Sequence, residues 1–348
     1  MKAVVYNGPW KMSLENLPKP DPAEGEVLLR MDAVGICGSD VHGFTGESGR
    51  RAPGMVMGHE VVGTVVGKGT GVEGPEIGSQ VAVYNIIADV APTPEEGDPS
   101  FLNKKIIGVN LGKRGAMAEY LTVPAENAML VPEGVDPAVG LLAEPIGIVT
   151  HGFHRLQAKN IVPRKVAIVG SGTIGLSALL VARERNAANI AVLDTIPEKA
   201  ERARGFGGTP VVIEKTDDMQ SVSAKVQAAL EEKPNLVIDA VGSRNSFAQC
   251  VNLVQPGGAV LLIGNLAKEV TLPLQDVVSN EVSFVGTYGF DRVAFADALA
   301  MVPRINKELS TFIEGRCTLE ETPDVITRLA KGEQHALKVV IEFPEANP

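Results

Sequence analysis

Cysteine is scarce. Cys37, Cys250 and Cys317 are the only three among 348 residues, and so odd and scattered a set excludes a disulfide framework and suits a reducing compartment. Positive charge is in deficit. Lys and Arg number 32 against 42 Asp and Glu, a net charge of −10, which argues against nucleic acid or an anionic membrane surface as a partner. No apolar run reaches the roughly 18 residues needed to span a bilayer. The opening Met1–Trp10 is interrupted by Gly8 and Pro9, too early for a signal peptide. Internal repeats and low-complexity tracts are also missing. These absences leave a cytoplasmic globular protein. With 45% hydrophobic and 21% charged residues, its composition is ordinary and its length suits two domains.

What is present centres on Val166-Ala-Ile-Val-Gly-Ser-Gly-Thr-Ile-Gly175. The apolar run 166–169 reads as a buried parallel strand. Gly170, Gly172 and Gly175 complete a G-x-G-x-x-G turn, with Thr173 and Ile174 inside it, and residues 176–185 have helical composition. A second apolar run, 190–193, ends on Asp194, nineteen residues after the last glycine. Strand, glycine turn, helix and acid together are the pattern of a dinucleotide site. The first glycine permits the tight turn, the second lets a pyrophosphate approach the backbone, and the third lets helix and strand pack closely. The helix N-terminus offers free N–H groups to the phosphates. A carboxylate at Asp194 accepts ribose hydroxyls and repels a 2′-phosphate, which favours NAD over NADP. Lys199 stands five residues on and could offset that repulsion.

Residues 1–150 read as strands separated by Pro- and Gly-rich turns, at 3–6, 26–34, 60–66 and 80–84, a barrel-like or sandwich pattern. Residues 85–112 read as an exposed loop. Short helices are expected over 137–145 and 146–158. From 165 to about 290 strands alternate with helices, with strands at 166–169, 190–193, 211–213, 236–239, 259–263 and 282–285. Helices are expected at 173–185, 197–204, 219–231 and 244–254. The fold class is therefore α/β, with a doubly wound parallel sheet. Val241, Gly264 and Thr287 fall at carboxyl ends of its strands, where such sheets bind ligands. The tail contains a helix, 293–301, and a last strand, 337–343, expected to return to the first domain.

A second cluster joins Gly35-Ile-Cys-Gly-Ser-Asp-Val-His42 to Gly58-His-Glu60. Thiolate, imidazole and carboxylate form a zinc ligand set, and a catalytic zinc uses three protein ligands. Cys37 and His59 are the natural first pair, and Glu60 or Glu144 completes the set. Arg50 and Arg51 read as a solvated surface pair, and Phe44 as an apolar wall or core residue.

These motifs, with Ala118-Glu-Tyr120, Ala143-Glu-Pro145, the Gly170–Gly175 turn and Asp194, resemble the zinc-dependent medium-chain dehydrogenase/reductase family. The likeness is strongest to its polyol branch of sorbitol and threonine dehydrogenases. The resemblance implies a GroES-like barrel as the catalytic domain over 1–150, a Rossmann NAD-binding domain over 151–287, and a return segment of the catalytic domain over 288–348. It implies that Cys37 and His59 bind catalytic zinc, that Glu60 ligates or supports it, and that Glu144 is a third ligand or a nearby carboxylate. It assigns Ser39 the alcohol proton and His42 the relay to solvent. Homodimers or homotetramers are expected. One departure stands out: residues 61–117 contain no cysteine, so the four-cysteine structural lobe of many relatives cannot form, and one zinc per subunit is expected. The reaction implied is hydride transfer from a secondary alcohol of a polyol or sugar-derived diol to NAD. The alternatives are a zinc-free NADPH quinone or enone reductase on the same fold, and a non-catalytic NAD-binding protein.

Overall fold

A computed structural model describes residues 1–88, 104–110, 112 and 114–344. It divides into two units, Met1–Glu144 with Asp291–Pro348, and Pro145–Phe290. The first unit is built around the strand Glu26–Ile36. It pairs antiparallel with Glu60–Lys68, with Tyr120–Pro124 and with the final strand Lys338–Glu342. Gln80–Val83, Ala128–Leu130 and Ile313–Cys317 complete a seven-stranded sheet, and Lys2–Gly8 lies between Lys11–Asn16 and Met55–Val56 in a second sheet. Val27, Leu29, Met31, Val34, Val61 and Val65 fill the core between them. β-Branched and long apolar side chains on neighbouring strands give this unit its driving force. Of the segment expected as a loop over 85–112, residues 89–103 and 111 lie outside the described residues; Ile86–Ala88 and Lys104–Ile106 within it pair antiparallel.

The register decides the site. Gly35 is paired with Glu60 on one side and with Val340 on the other, and Ile36 with Val339. Glu60 and the start of the last strand therefore flank the end of Glu26–Ile36, although they are 278 residues apart in sequence. Immediately after this strand comes the helix Gly38–Thr45, where the sequence reads as turns. Its glycines and Val41 have poor helix propensity. A capping box outweighs that: Cys37 Sγ accepts from the Ser39 N–H (3.5 Å), and the Asp40 carboxylate accepts from the Cys37 N–H (3.1 Å).

The second unit holds a six-stranded parallel sheet. Its order is Thr209–Val212, Asn189–Asp194, Lys165–Val169, Leu236–Asp239, Ala259–Leu262, Ser283–Gly286. The order reverses between Lys165–Val169 and Leu236–Asp239, the switch point at which doubly wound sheets bind ligands. Helices Thr173–Glu184, Met219–Leu230 and Arg244–Leu253 connect the strands. The two helices expected over 137–145 and 146–158 are Pro137–Gly140 and Ala143–Ala158, so the break falls before Ala143 and Pro145 lies in the first turn of the second helix. Proline is tolerated there because the first helical turn has no use for its missing N–H.

Candidate metal centre and dinucleotide turn

Two elements of the first unit bring together the residues that the sequence singles out. Cys37 caps the helix Gly38–Thr45, His59 precedes the strand Glu60–Lys68, and Glu60 begins it. One ligand atom from each of Cys37, His59 and Glu60 lies within 4.8 Å of the other two, the one such group among the described residues. Thiol, imidazole and carboxylate suit zinc, and the spacing lets one ion reach all three. Glu144 is buried close by, its Oε1 accepting from Asn85 Nδ2 at 2.9 Å. Asn85 also donates to the His59 carbonyl oxygen (3.0 Å), tying the two residues together.

The surroundings orient the imidazole. Asp40 Oδ1 lies 3.3 Å from His59 Nδ1, an ion-pair separation without hydrogen-bond alignment. Ser39 Oγ lies 3.3 Å from Nε2. A carboxylate behind one ring nitrogen leaves the other free for a metal. Burial by itself would push the Asp40 carboxyl up, but the charge on His59, with Arg51 and the Cys37 N–H, holds it below its ordinary value. Burial would likewise lower His59; the Asp40 charge and Cys37 outweigh it and raise the imidazole well above its ordinary value. Burial, with Glu60 nearby, pushes Glu144 up to about 7.

Arg51 corrects the reading of a solvated pair. Its side chain is 2% exposed, 3.4 Å from Asp40 Oδ1, and donates to the carbonyls of Ser39 and Val109. Phe44 is buried in the core. His42 lies on the same helix as Ser39, three residues on. Its side chain is 51% exposed, and its Nδ1 lies 2.9 Å from Glu47. The other two cysteines are buried elsewhere. Burial raises the Cys250 thiol well above its ordinary value and pushes Cys317 up to about 11, which makes them inert packing residues.

Sequence reasoning gave no role to Asp40, Asn85 or Lys338. Asp40 stood inside the quoted motif. Lys338 was detectable as the one charge leading an apolar strand, and only the sheet places it. Its Nζ lies 2.6 Å from both carboxylate oxygens of Glu60, with both side chains no more than 2% exposed. Burial would lower the Lys338 ammonium, but the Glu60 charge and the thiol and carboxylate around it raise it above its ordinary value.

Asp40 and Cys37 raise the His59 imidazole above its ordinary value in the metal-free protein, and a metal takes the neutral ring, so zinc binding is coupled to proton loss. Binding is therefore expected to release at least about one proton near neutral pH, and affinity should rise by up to about tenfold per pH unit between pH 6 and 8. Calorimetric titrations in buffers of different ionisation enthalpy measure this. A binding enthalpy independent of the buffer would contradict it.

In the second unit Gly170 has φ of +97°, a left-handed turn open to glycine. A Cβ on Gly175 would stand 1.8 Å from the Gly170 carbonyl oxygen, whereas one on Gly172 would meet nothing within 4 Å. Thr173 and Ile174 open the helix at this turn. Asp194 ends its strand, where Oδ2 accepts from the backbone N–H and hydroxyl of Ser171 and Oδ1 from the Ile196 N–H. Lys199 lies on the helix Pro197–Glu201. Val241, Gly264 and Thr287 follow the carboxyl ends of Leu236–Asp239, Ala259–Leu262 and Ser283–Gly286. The hydroxyl of Thr287 is buried, with no hydrogen-bond partner among the described residues. Glycine clearance, helix N-terminus and strand-end acid fit a dinucleotide.

Residues 23–133 match the family model of the alcohol dehydrogenase GroES-like domain, and residues 173–304 that of zinc-binding dehydrogenases. L-galactonate-5-dehydrogenase of Escherichia coli (strain K12) is 30% identical over 88% of this chain and 88% of its own length. Sorbitol dehydrogenase of Bos taurus is 29% identical over 98% of this chain and 95% of its own. A Sinorhizobium meliloti protein described as a zinc-binding dehydrogenase, solved bound to NADP, superposes with a TM-score of 0.86 at 26% identity, covering 98% of this chain and 99% of that one.

Proposed function

Since the chain belongs to the zinc-binding medium-chain dehydrogenases, of the polyol branch, we propose that it oxidises a secondary alcohol of a polyol or sugar-derived diol to a ketone, with NAD as acceptor and one zinc per subunit. The observation that carries this reading is the meeting of Cys37, His59 and Glu60 within 4.8 Å. A zinc-free reductase on this fold would have no need of that trio.

Cys37, His59 and a glutamate would hold the zinc, which would supply a Lewis acid for the alcohol oxygen, and the Gly170–Gly175 turn would hold NAD, which would supply the hydride acceptor. The chain's own residues do the rest. Asp40 lies against Nδ1 of the imidazole, which leaves Nε2, beside Ser39 Oγ, as the nitrogen available to a metal. Ser39 Oγ, beside that nitrogen, takes the alcohol proton as its own is passed on. His42, one turn along the helix and half exposed, delivers a proton to solvent. Asn85 positions Glu144 by a side-chain hydrogen bond and His59 through its backbone.

NAD is chosen over NADP on Asp194. A fixed carboxylate at the end of the strand repels a 2′-phosphate, even though one structural relative was solved with NADP. Lys199, on the next helix, is the residue that could offset this preference.

The test is NADH formation across polyols, sugar acids, threonine and simple alcohols, with NADP in parallel and with and without a zinc chelator. The expected result is chelator-sensitive turnover of one vicinal-diol class and about one zinc per chain by elemental analysis. NAD should be favoured over NADP by at least about tenfold in kcat/KM. No turnover of any alcohol by protein that binds both zinc and NAD would refute the dehydrogenase reading. A preference for NADP would refute the role given to Asp194.

A further inference from the structure

The Glu60–Lys338 pair carries more than packing. Both oxygens of the Glu60 carboxylate lie 2.6 Å from the Lys338 ammonium, which also donates to the Ile36 carbonyl at 3.4 Å. The carboxylate reaches that lysine across the intervening strand at Gly35. A Cβ there would stand 2.1 Å from Glu60 Oε2 and 2.9 Å from Leu141, so the glycine keeps a passage open. The last strand of the chain thus delivers a cation to a group that is also one of the three candidate metal ligands. A buried carboxylate without a counter-charge is strongly unfavourable. In the metal-free chain Lys338 is that counter-charge. Once a metal shares the carboxylate, two cations compete for one anion in a buried setting where charges are weakly screened.

We propose that Lys338 is a positioning residue for the metal centre: by dividing the Glu60 carboxylate with the metal, it limits how tightly the metal is kept. The inference rests on zinc occupying the Cys37–His59–Glu60 group. It implies that lysine and metal are alternative partners of Glu60, so removing the lysine strengthens the metal's hold and leaves the metal-free form short of a counter-charge.

The experiment uses zinc-loaded protein and follows zinc release to a colorimetric chelator in wild type, Lys338→Met and Lys338→Arg. Lys338→Met is expected to release zinc at least about tenfold more slowly, while Lys338→Arg stays within about threefold, because the arginine retains the charge. Thermal melts supply a second readout. Lys338→Met should lower Tm by more than about 5 °C in the metal-free form, and zinc should restore most of the loss. A purely structural lysine would lower both forms equally. Release as fast as wild type, or equal loss of Tm with and without zinc, would overturn the proposal. If Lys338→Met does not accumulate as folded protein, Glu60→Gln is compared with Glu60→Gln/Lys338→Met. With no carboxylate left to neutralise, the lysine only repels the metal, so the double variant should release zinc about tenfold more slowly than the single. Equal rates would overturn the role of Lys338. Wild-type protein carrying no zinc that Cys37→Ser loses would bring down the metal reading and this proposal together. Bound zinc with unchanged release overturns this proposal alone.

Discussion

Cys37→Ser is expected to abolish zinc binding and to lower kcat/KM by at least about a thousandfold, while the fold and NAD binding survive. The loss follows from the ligand chemistry. A serine hydroxyl does not ionise as a thiol does and is a poor zinc ligand, and withdrawing a Lewis acid removes several kcal/mol of charge stabilisation, at about 1.4 kcal/mol per factor of ten. The survival follows from where Cys37 sits. Its sulfur caps the helix Gly38–Thr45 by accepting from the Ser39 N–H, and serine is among the best capping residues. The substitution therefore removes the ligand without removing the cap. Elemental analysis, thermal melting and NAD titration of one preparation separate these effects. A Cys37→Ser protein that keeps zinc and turnover would mean that the thiol is structural and that the metal, if any, sits elsewhere.

The second large effect is a contrast between two glycines three residues apart. In Gly175→Ala the new methyl would lie 1.8 Å from the Gly170 carbonyl oxygen. Backbone bounds it, so helix and strand must separate, at a cost of about 1–3 kcal/mol or more and a Tm lowered by several degrees. NAD affinity should fall by at least about a hundredfold, because the helix N-terminus that faces the phosphates is displaced. In Gly172→Ala the methyl meets nothing within 4 Å. Stability should change by less than about 0.5 kcal/mol. If a pyrophosphate passes over this residue, NAD affinity should nevertheless drop by about tenfold or more, since only the bound cofactor feels the added carbon. Unchanged NAD binding in Gly172→Ala, measured by fluorescence or calorimetry, would show that no phosphate approaches there.

The second unit was the more legible of the two because its rules are local. Buried parallel strands read as short apolar runs, and Lys165–Val169, Asn189–Asp194 and Leu236–Asp239 fall within one or two residues of the runs in the sequence. In the first unit the strands Lys2–Gly8, Glu26–Ile36, Glu60–Lys68, Gln80–Val83 and Lys338–Glu342 were visible, but Lys11–Asn16, Tyr120–Pro124 and Ile313–Cys317 were not, nor were Met55–Val56 and Ala128–Leu130, whose two and three residues give no periodicity. The helix Gly38–Thr45 was missed because its propensity is low and its signal is an unusual cap formed by a cysteine. Arg51 was misread for a related reason. An arginine looks like surface in sequence, and only a fully buried partner such as Asp40 makes its burial tolerable.

The sequence by itself determined the alternating sheet of the second unit, the glycine turn with its strand-end acid, and the identities of Cys37, His59 and Glu60. Each follows from residue type and short spacing, which act through local geometry and ligand chemistry. The tertiary structure alone decided which buried charges surround those ligands. Asp40 and Arg51 meet behind His59, Asn85 joins His59 to Glu144, and Lys338 crosses a separation of 278 residues to reach Glu60. Strand pairing and register set those meetings, since a shift of one residue would turn Lys338 to the other face of its sheet. Unpaired burial makes each of these charges unfavourable until the fold supplies its partner.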